Sequence, residues 1–97
     1  MINSFRDQAT EDIFNGFSTK VARKSCPQKL WGIARRKLDQ LDSVIALAEL
    51  NLPPGNHLEK LGGDKVGQYS DRINDQYRVC FSWGISGPAN VYITDYH

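Results

Sequence analysis

A carboxylate, a phenol and an imidazole stand side by side in Asp95-Tyr96-His97. They follow a strand-like run, Val91-Tyr92-Ile93, whose pairing into a sheet would hold them, since chain ends otherwise fray. An acid and an imidazole this close can pass protons to and from a substrate. A strand that merely ends in a polar stub has the same composition, and the tail alone favours that plainer reading.

Residues 68–81 add a second kind of chemistry. Side chains alternate across a strand. Arg78 therefore shares a face with Gln76 and Cys80, while Tyr77, Val79 and Phe81 form the apolar, core-directed face. Arg72 falls with Ser70 on the preceding strand. One sheet face then presents two guanidiniums beside the amides of Asn74 and Gln76. Arginine matches phosphate oxygens bidentately, so this face, with Asp95, Tyr96 and His97 next to it, suits a phosphodiester. Plainer roles compete. Arg72 and Arg78 can pair with Asp95, Asn74-Asp75 reads first as a turn, Trp31 and Trp83 read as packing residues, and His57 reads as a surface loop residue. Gly62, Gly63 and Gly67 form no phosphate loop, because no helix follows them. No serine or cysteine has a base beside it in sequence. Cys26 and Cys80 show no metal-ligand spacing and read as free thiols, Cys80 as a small strand residue.

The net charge is only +1, but the charge is unevenly spread. Lys20, Arg23, Lys24, Lys29, Arg35, Arg36 and Lys37 are seven of the twelve basic residues, and no acid lies between Asp12 and Asp39. Such a run is either a solvated helix face or a surface that contacts a phosphate backbone.

The elements that must position these groups follow from pattern. The 97 residues suit one domain, 1–97, and 40% hydrophobic with 24% charged residues is ordinary globular composition. No apolar run reaches membrane-span length and the first residues lack a leader's apolar stretch, so a cytoplasmic location is expected. Residues 1–6 suit a first strand. Asp7 or Thr10 can cap a short helix with Ile13, Phe14 and Phe17 on its apolar face, broken at Gly16. Ser18-Thr19-Lys20 reads as a polar connector. Leu30, Ile33, Ala34, Leu38 and Leu41 predict the main amphipathic helix over residues 27–41. A further helical piece follows over 43–50, capped by Asp42 or Ser43. Pro53-Pro54-Gly55-Asn56 ends the helical half. Strands are predicted over 58–61, 67–73, 76–83 and 89–94, with turns at Gly62-Gly63-Asp64, Asn74-Asp75 and Ser86-Gly87-Pro88. The expected fold is α+β, with N-terminal helices packed on one face of a small curved antiparallel sheet.

The string at 58–70, the hairpin Ser70-Asp71-Arg72-Ile73-Asn74-Asp75-Gln76-Tyr77-Arg78 and the closing Asp95-Tyr96-His97 together resemble the HigB toxins of the RelE/ParE superfamily. The opening Met1-Ile2-Asn3-Ser4-Phe5 and the Pro53–Asn56 link are also similar to HigB and GraT chains. The resemblance implies the toxin of a type II toxin–antitoxin pair: a ribosome-dependent messenger-RNA endonuclease that enters the A site of the 70S ribosome. There the ribose 2′-hydroxyl attacks the neighbouring phosphorus, with no metal or other cofactor. Carried onto this chain, it makes Arg78 the group that stabilises the transferring phosphate. Asp95 and His97 become the proton-transfer groups, and Tyr96 the residue that stacks on or orients a base. Arg72 and Lys65 add phosphate contacts, Asn74 and Gln76 lie on the same RNA-binding face, and the basic segment from Lys20 to Lys37 grips ribosomal RNA. The implied partner is a helix-turn-helix antitoxin (HigA-like), through which alone the toxin would reach operator DNA.

The chain also departs from its relatives. Asp71 stands where they usually carry an aliphatic residue, so it bears on RNA binding or on the core. Glu59 stands where some carry a histidine, and could serve as the base in its place. Gly62 replaces a lysine of some members. Two other functions fit the same scaffold: a ParE-like gyrase poison, against which the acid-aromatic-histidine tail argues, and a non-enzymatic module that binds antitoxin or RNA.

Overall fold

Asp7 starts the first helix. In the computed structural model, which describes residues 1–51 and 58–95, its carboxylate accepts the Thr10 N–H at 2.8 Å and caps α1, Gln8–Asn15. Gly16 closes α1 in the left-handed region, at φ 84°, where a residue without Cβ is unstrained. The expected connector at 18–20 is instead the start of a second helix, α2, Lys20–Ser25. Thr19 is its cap, accepting the Ala22 N–H, and its hydroxyl donates to Asp12 Oδ2 at 2.7 Å. One threonine thus starts α2 and ties it to α1.

After Pro27 a 3-10 turn, Gln28–Leu30, leads into α3, Trp31–Ser43. The helix predicted from residue 27 therefore begins as a tighter turn, steadied by the Trp31 indole N–H donating to the Cys26 carbonyl at 2.9 Å. The further helix expected over 43–50 is reduced to a 3-10 turn, Leu47–Asn51. Asp42 does not cap it: its carboxylate accepts the Ile2 N–H at 2.8 Å and anchors the start of the chain. The Pro53–Asn56 link and His57 lie outside the described residues.

The sheet comprises β1, Glu59–Lys60, β2, Gln68–Arg72, β3, Tyr77–Gly84, and β4, Gly87–Asp95. They form a four-stranded antiparallel meander in the order β1-β2-β3-β4. The strand expected over 1–6 is reduced to a single parallel bridge, Phe5 to Val91. Even so, Asn3 N–H reaches the Pro88 carbonyl and Arg6 N–H the Val91 carbonyl, at 2.8 and 2.9 Å. Midway along β4, two residues, Asn90 and Val91, face one residue of β3, Phe81. This bulge holds Asn90 at φ 53°.

Ile13, Ala34, Leu38 and Leu41 from the helices meet Val79, Phe81, Val91 and Ile93 from the sheet in one apolar core. Burying each such Leu, Ile or Phe contributes roughly 1.5–3 kcal/mol. The fold is α+β, with helices packed against one face of an antiparallel sheet, as the pattern predicts.

Candidate active site on the face turned from the helices

Register decides which side chains meet. Arg72 stands opposite Arg78, and Arg78 opposite Thr94. One pleat further on, Glu59 faces Ser70, Ser70 faces Cys80, and Cys80 faces Tyr92. Paired residues point to the same side of a sheet, so these two rows share the face opposite Val79 and Phe81. That is the face on which the sequence places the two guanidiniums.

Arg78 is the centre of this face. It is only 7% exposed, and its guanidinium lies 3.5 Å from the Glu59 carboxylate, whose side chain is half-exposed. A charge desolvated to this degree is held in place by its partners rather than by water. Arg72 is freer and reaches Asp75 at 3.7 Å. The Ser70 hydroxyl, fully buried between Glu59 and Cys80, makes no hydrogen bond among the described residues. Burial raises the Cys80 thiol pKa, against a hydrogen bond with Tyr92 and the positive charges of Lys65, Arg78 and Arg6. Three cations therefore converge electrostatically on the middle of this face. A face with a nearly buried guanidinium, a second one across the strand pair and an adjacent carboxylate can bind a phosphodiester and stabilise charge developing on it.

The sequence-derived residues divide into groups. Arg78, Arg72 and Glu59 come together, and Lys65, in a 3-10 turn Gly63–Lys65, lies within electrostatic reach of Cys80 on the same face. Asp95 does not join their row. It stands opposite Tyr77, which alternation assigns to the other pleat from Arg78, and its carboxylate accepts the Gln76 amide at 3.0 Å. Gln76 is thereby engaged at the sheet's end. The Asn74 side-chain oxygen accepts the N–H groups of Gln76 and Tyr77, at 2.9 and 2.7 Å, so Asn74 is a turn device. Tyr96 and His97 lie outside the described residues.

The basic helical segment is on the opposite layer from Arg78. Lys20, Arg23 and Lys24 lie on α2, Lys29 on the 3-10 turn, and Arg35, Arg36 and Lys37 on α3. Arg23 donates to the Ser18 carbonyl at 2.6 Å, and Arg35 lies over Gly16. Lys37 is half-buried and coupled to Asp71. Asp71 itself stands opposite Val79 on the core-facing pleat, only 2% exposed. Burial pushes its pKa up to about 6, against Lys37, the Arg72 backbone N–H and Arg78. This acid is therefore a feature of the core, not of the arginine face.

Sequence reasoning missed Arg6 and Tyr92. The Arg6 guanidinium lies 4.5 Å over the Tyr92 ring, a cation–π contact. Only the pairing of 3–6 with β4 brings Arg6 there, and no local pattern encodes that pairing. The bulge at Asn90 left a faint signal: an asparagine before the apolar run 91–93 is a residue that tolerates positive φ.

The model of a family described as the RelE-like toxin of type II toxin–antitoxin system HigB matches residues 3–97. The chain is 39% identical to the toxin HigB-1 of Vibrio cholerae serotype O1 over 96% of its own length and 95% of the relative's. It is 29% identical to an uncharacterized protein of Haemophilus influenzae over 96% and 93%. With nearly every residue covered, and with the helix-backed sheet described above, this chain belongs to the HigB family of RelE-like toxins of type II toxin–antitoxin systems.

Proposed function

We propose that this toxin is an endoribonuclease that cuts messenger RNA on the translating ribosome and so halts protein synthesis. Family membership supports the reaction class, since ribosome-dependent messenger-RNA cleavage is the family's known activity. The observation that carries the reading on this chain is Arg78: a nearly buried guanidinium, steered by Glu59 and flanked by Arg72 across the strand pair.

In the proposed reaction the 2′-hydroxyl of one nucleotide attacks the adjacent phosphorus. Glu59 accepts the hydroxyl proton, and Arg78 takes up the negative charge gathering on the non-bridging oxygens. The bond to the 5′-oxygen breaks, leaving a 2′,3′-cyclic phosphate. His97 supplies the proton to the departing oxygen, and Tyr96 orients the base; both assignments rest on the family resemblance. Asp95, bonded to Gln76, holds the end of β4 beside the start of β3. Lys65 and Arg72 contact flanking phosphates. The helical cations Lys20, Arg23, Lys24, Lys29, Arg35 and Arg36 face ribosomal RNA from the other layer, a two-sided grip suited to a narrow RNA-walled cleft. The family implies an antitoxin partner; a helix-turn-helix antitoxin that carries the toxin to operator DNA is part of this proposal.

The test is a map of transcript 5′ ends after brief expression, together with incorporation of labelled amino acids and thymidine. New 5′ ends within codons and an early fall in protein synthesis are expected. A first fall in DNA synthesis would mean a gyrase poison, and arrest without new ends would mean a binder.

A further inference from the structure

Next to the arginine row, the same face holds a depression of about 280 Å³ lined by Arg6, Gln68, Ser82, Asn90 and Tyr92. It is a built feature. The segment before α1 is laced to β4 by Asn3 N–H to the Pro88 carbonyl, Val91 N–H to the Ser4 carbonyl and Arg6 N–H to the Val91 carbonyl. The Ser4 hydroxyl also accepts the Asn90 N–H at 2.9 Å. These bonds place the Arg6 guanidinium over Tyr92, 4.5 Å from its ring centre. Tyr92 is nearly buried, and its hydroxyl donates to the Gln68 amide oxygen at 3.2 Å. That bond fixes the Gln68 amide and leaves its Nε2 with no hydrogen bond among the described residues.

Asn90 is the one non-glycine residue at positive φ among the described residues. Glycine would occupy the bulge with less strain, so an asparagine there retains an amide at a conformational cost. Strained residues of this kind cluster at ligand clamps, and bulges re-aim side chains beside active sites. The depression thus offers a planar cation backed by an aromatic ring, and two primary amides beside it. A guanidinium plane stacks on a nucleobase, and amides pair with the donor and acceptor groups along a base edge.

Resting on the nuclease reading above, we infer that this depression is a base-reading subsite for a nucleotide flanking the scissile linkage. The flanking base stacks on Arg6, and Gln68 and Asn90 hydrogen-bond its edge. Ser82 and Arg78 share one strand and one face four residues apart, about 13 Å at the usual rise, so the base read here belongs to a neighbour of the reacting nucleotide. Cys80, which stands between Arg78 and Ser82 on this strand, lies within electrostatic reach of Lys65, Arg78 and Arg6, so cations flank both sites.

The experiment uses the full chain and fluorescein-labelled hexamers of oligo(A), oligo(C) and oligo(U), titrated at low salt, alongside the 5′-end map. Asn90→Gly keeps the backbone conformation, and Gln68→Ala removes the second amide; melting curves confirm that both fold. Each is expected to change the ranking of the three hexamers by at least threefold while leaving the salt dependence of binding unchanged. Arg6→Ala is expected to weaken all three by fivefold or more. Unchanged ranking in both amide variants overturns the subsite, and so does an unchanged codon distribution of cuts. If the wild-type chain makes no cuts but the hexamer ranking shifts in the variants, the nuclease reading fails and the depression stands as a base-reading site for RNA that this chain does not cut.

Discussion

Glu59 and Arg78 meet over an intervening strand: the carboxylate of β1 lies 3.5 Å from the guanidinium of β3, with β2 between them. In the proposed reaction the pair sets a proton acceptor beside a phosphate-binding cation. If it works as proposed, Arg78→Ala lowers single-turnover cleavage of messenger RNA on programmed ribosomes by about 10²–10³-fold, the cost of losing one donor to a developing oxyanion. Glu59→Gln keeps the shape but cannot accept a proton, and is expected to lose about 10²–10⁴-fold. Full cleavage by Arg78→Ala rejects the site. Full cleavage by Glu59→Gln leaves Arg78 its role and moves the base elsewhere.

Asp71 is expected to make the stability of the fold depend on pH. Its carboxyl is raised from 3.8 to about 6 because the core-facing pleat desolvates it. The unfolded chain releases this proton at lower pH than the folded one. The contribution of Asp71 to stability is therefore greatest below about pH 4 and is lost as pH rises through about 6. A shift of this size corresponds to on the order of 3 kcal/mol. Asp71→Leu is expected to raise stability at pH 7.5 by up to about that amount and by roughly half as much at pH 5, read by urea unfolding at the two pH values. Equal gains at both would show that Asp71 does not titrate in this range.

The same residue shows how far the sequence can be read. Alternation sorted Arg72 and Arg78 from Val79 and Phe81 correctly, because one pleat is apolar and the other is not, whereas Asp71 was left between RNA binding and the core until its pairing with Val79 placed it on the core-facing pleat. The caps at Asp7 and Gly16 were legible because both act on their own helix. What escaped was set by contacts distant in sequence. Asp42 binds Ile2 instead of capping a helix, Thr19 starts a helix only six residues long, and Arg6 reaches the sheet through the pairing of 3–6 with β4. Asp95 looked adjacent to Arg78 in composition, but a one-residue offset in register turns it to the other pleat.

The two thiols are expected to be inert. Cys26 and Cys80 are 0% and 1% exposed, and burial raises both, Cys26 to about 11. The thiolate is the reacting form. At pH 8 a small maleimide or disulfide reagent is expected to label neither residue over an hour and to label both in 6 M guanidinium, read by mass spectrometry. Rapid single labelling of the native chain would mean that one of these core positions opens readily.

Thr10 ties the first helix to the last strand. Its hydroxyl accepts the buried Ile93 N–H at 2.9 Å, a bond that β3 cannot replace because it lies on the outer edge of β4. Thr10→Val preserves volume and removes the acceptor, leaving a buried N–H unsatisfied at a cost of about 1–3 kcal/mol. In a domain of this size each kcal/mol lowers the melting temperature by roughly 4–8 °C. Thr10→Ser retains the oxygen and is expected to lose much less. Amide exchange at Ile93 is expected to accelerate in the valine variant more than at Val79, which sits in the sheet's interior. The end of β4 carries Asp95 and leads directly into Tyr96 and His97, so a loosened Ile93 also lowers cleavage more than the loss of folded protein accounts for. A valine variant as stable as wild type, with Ile93 still protected, would show that another acceptor serves this N–H and that α1 does not anchor the end of β4.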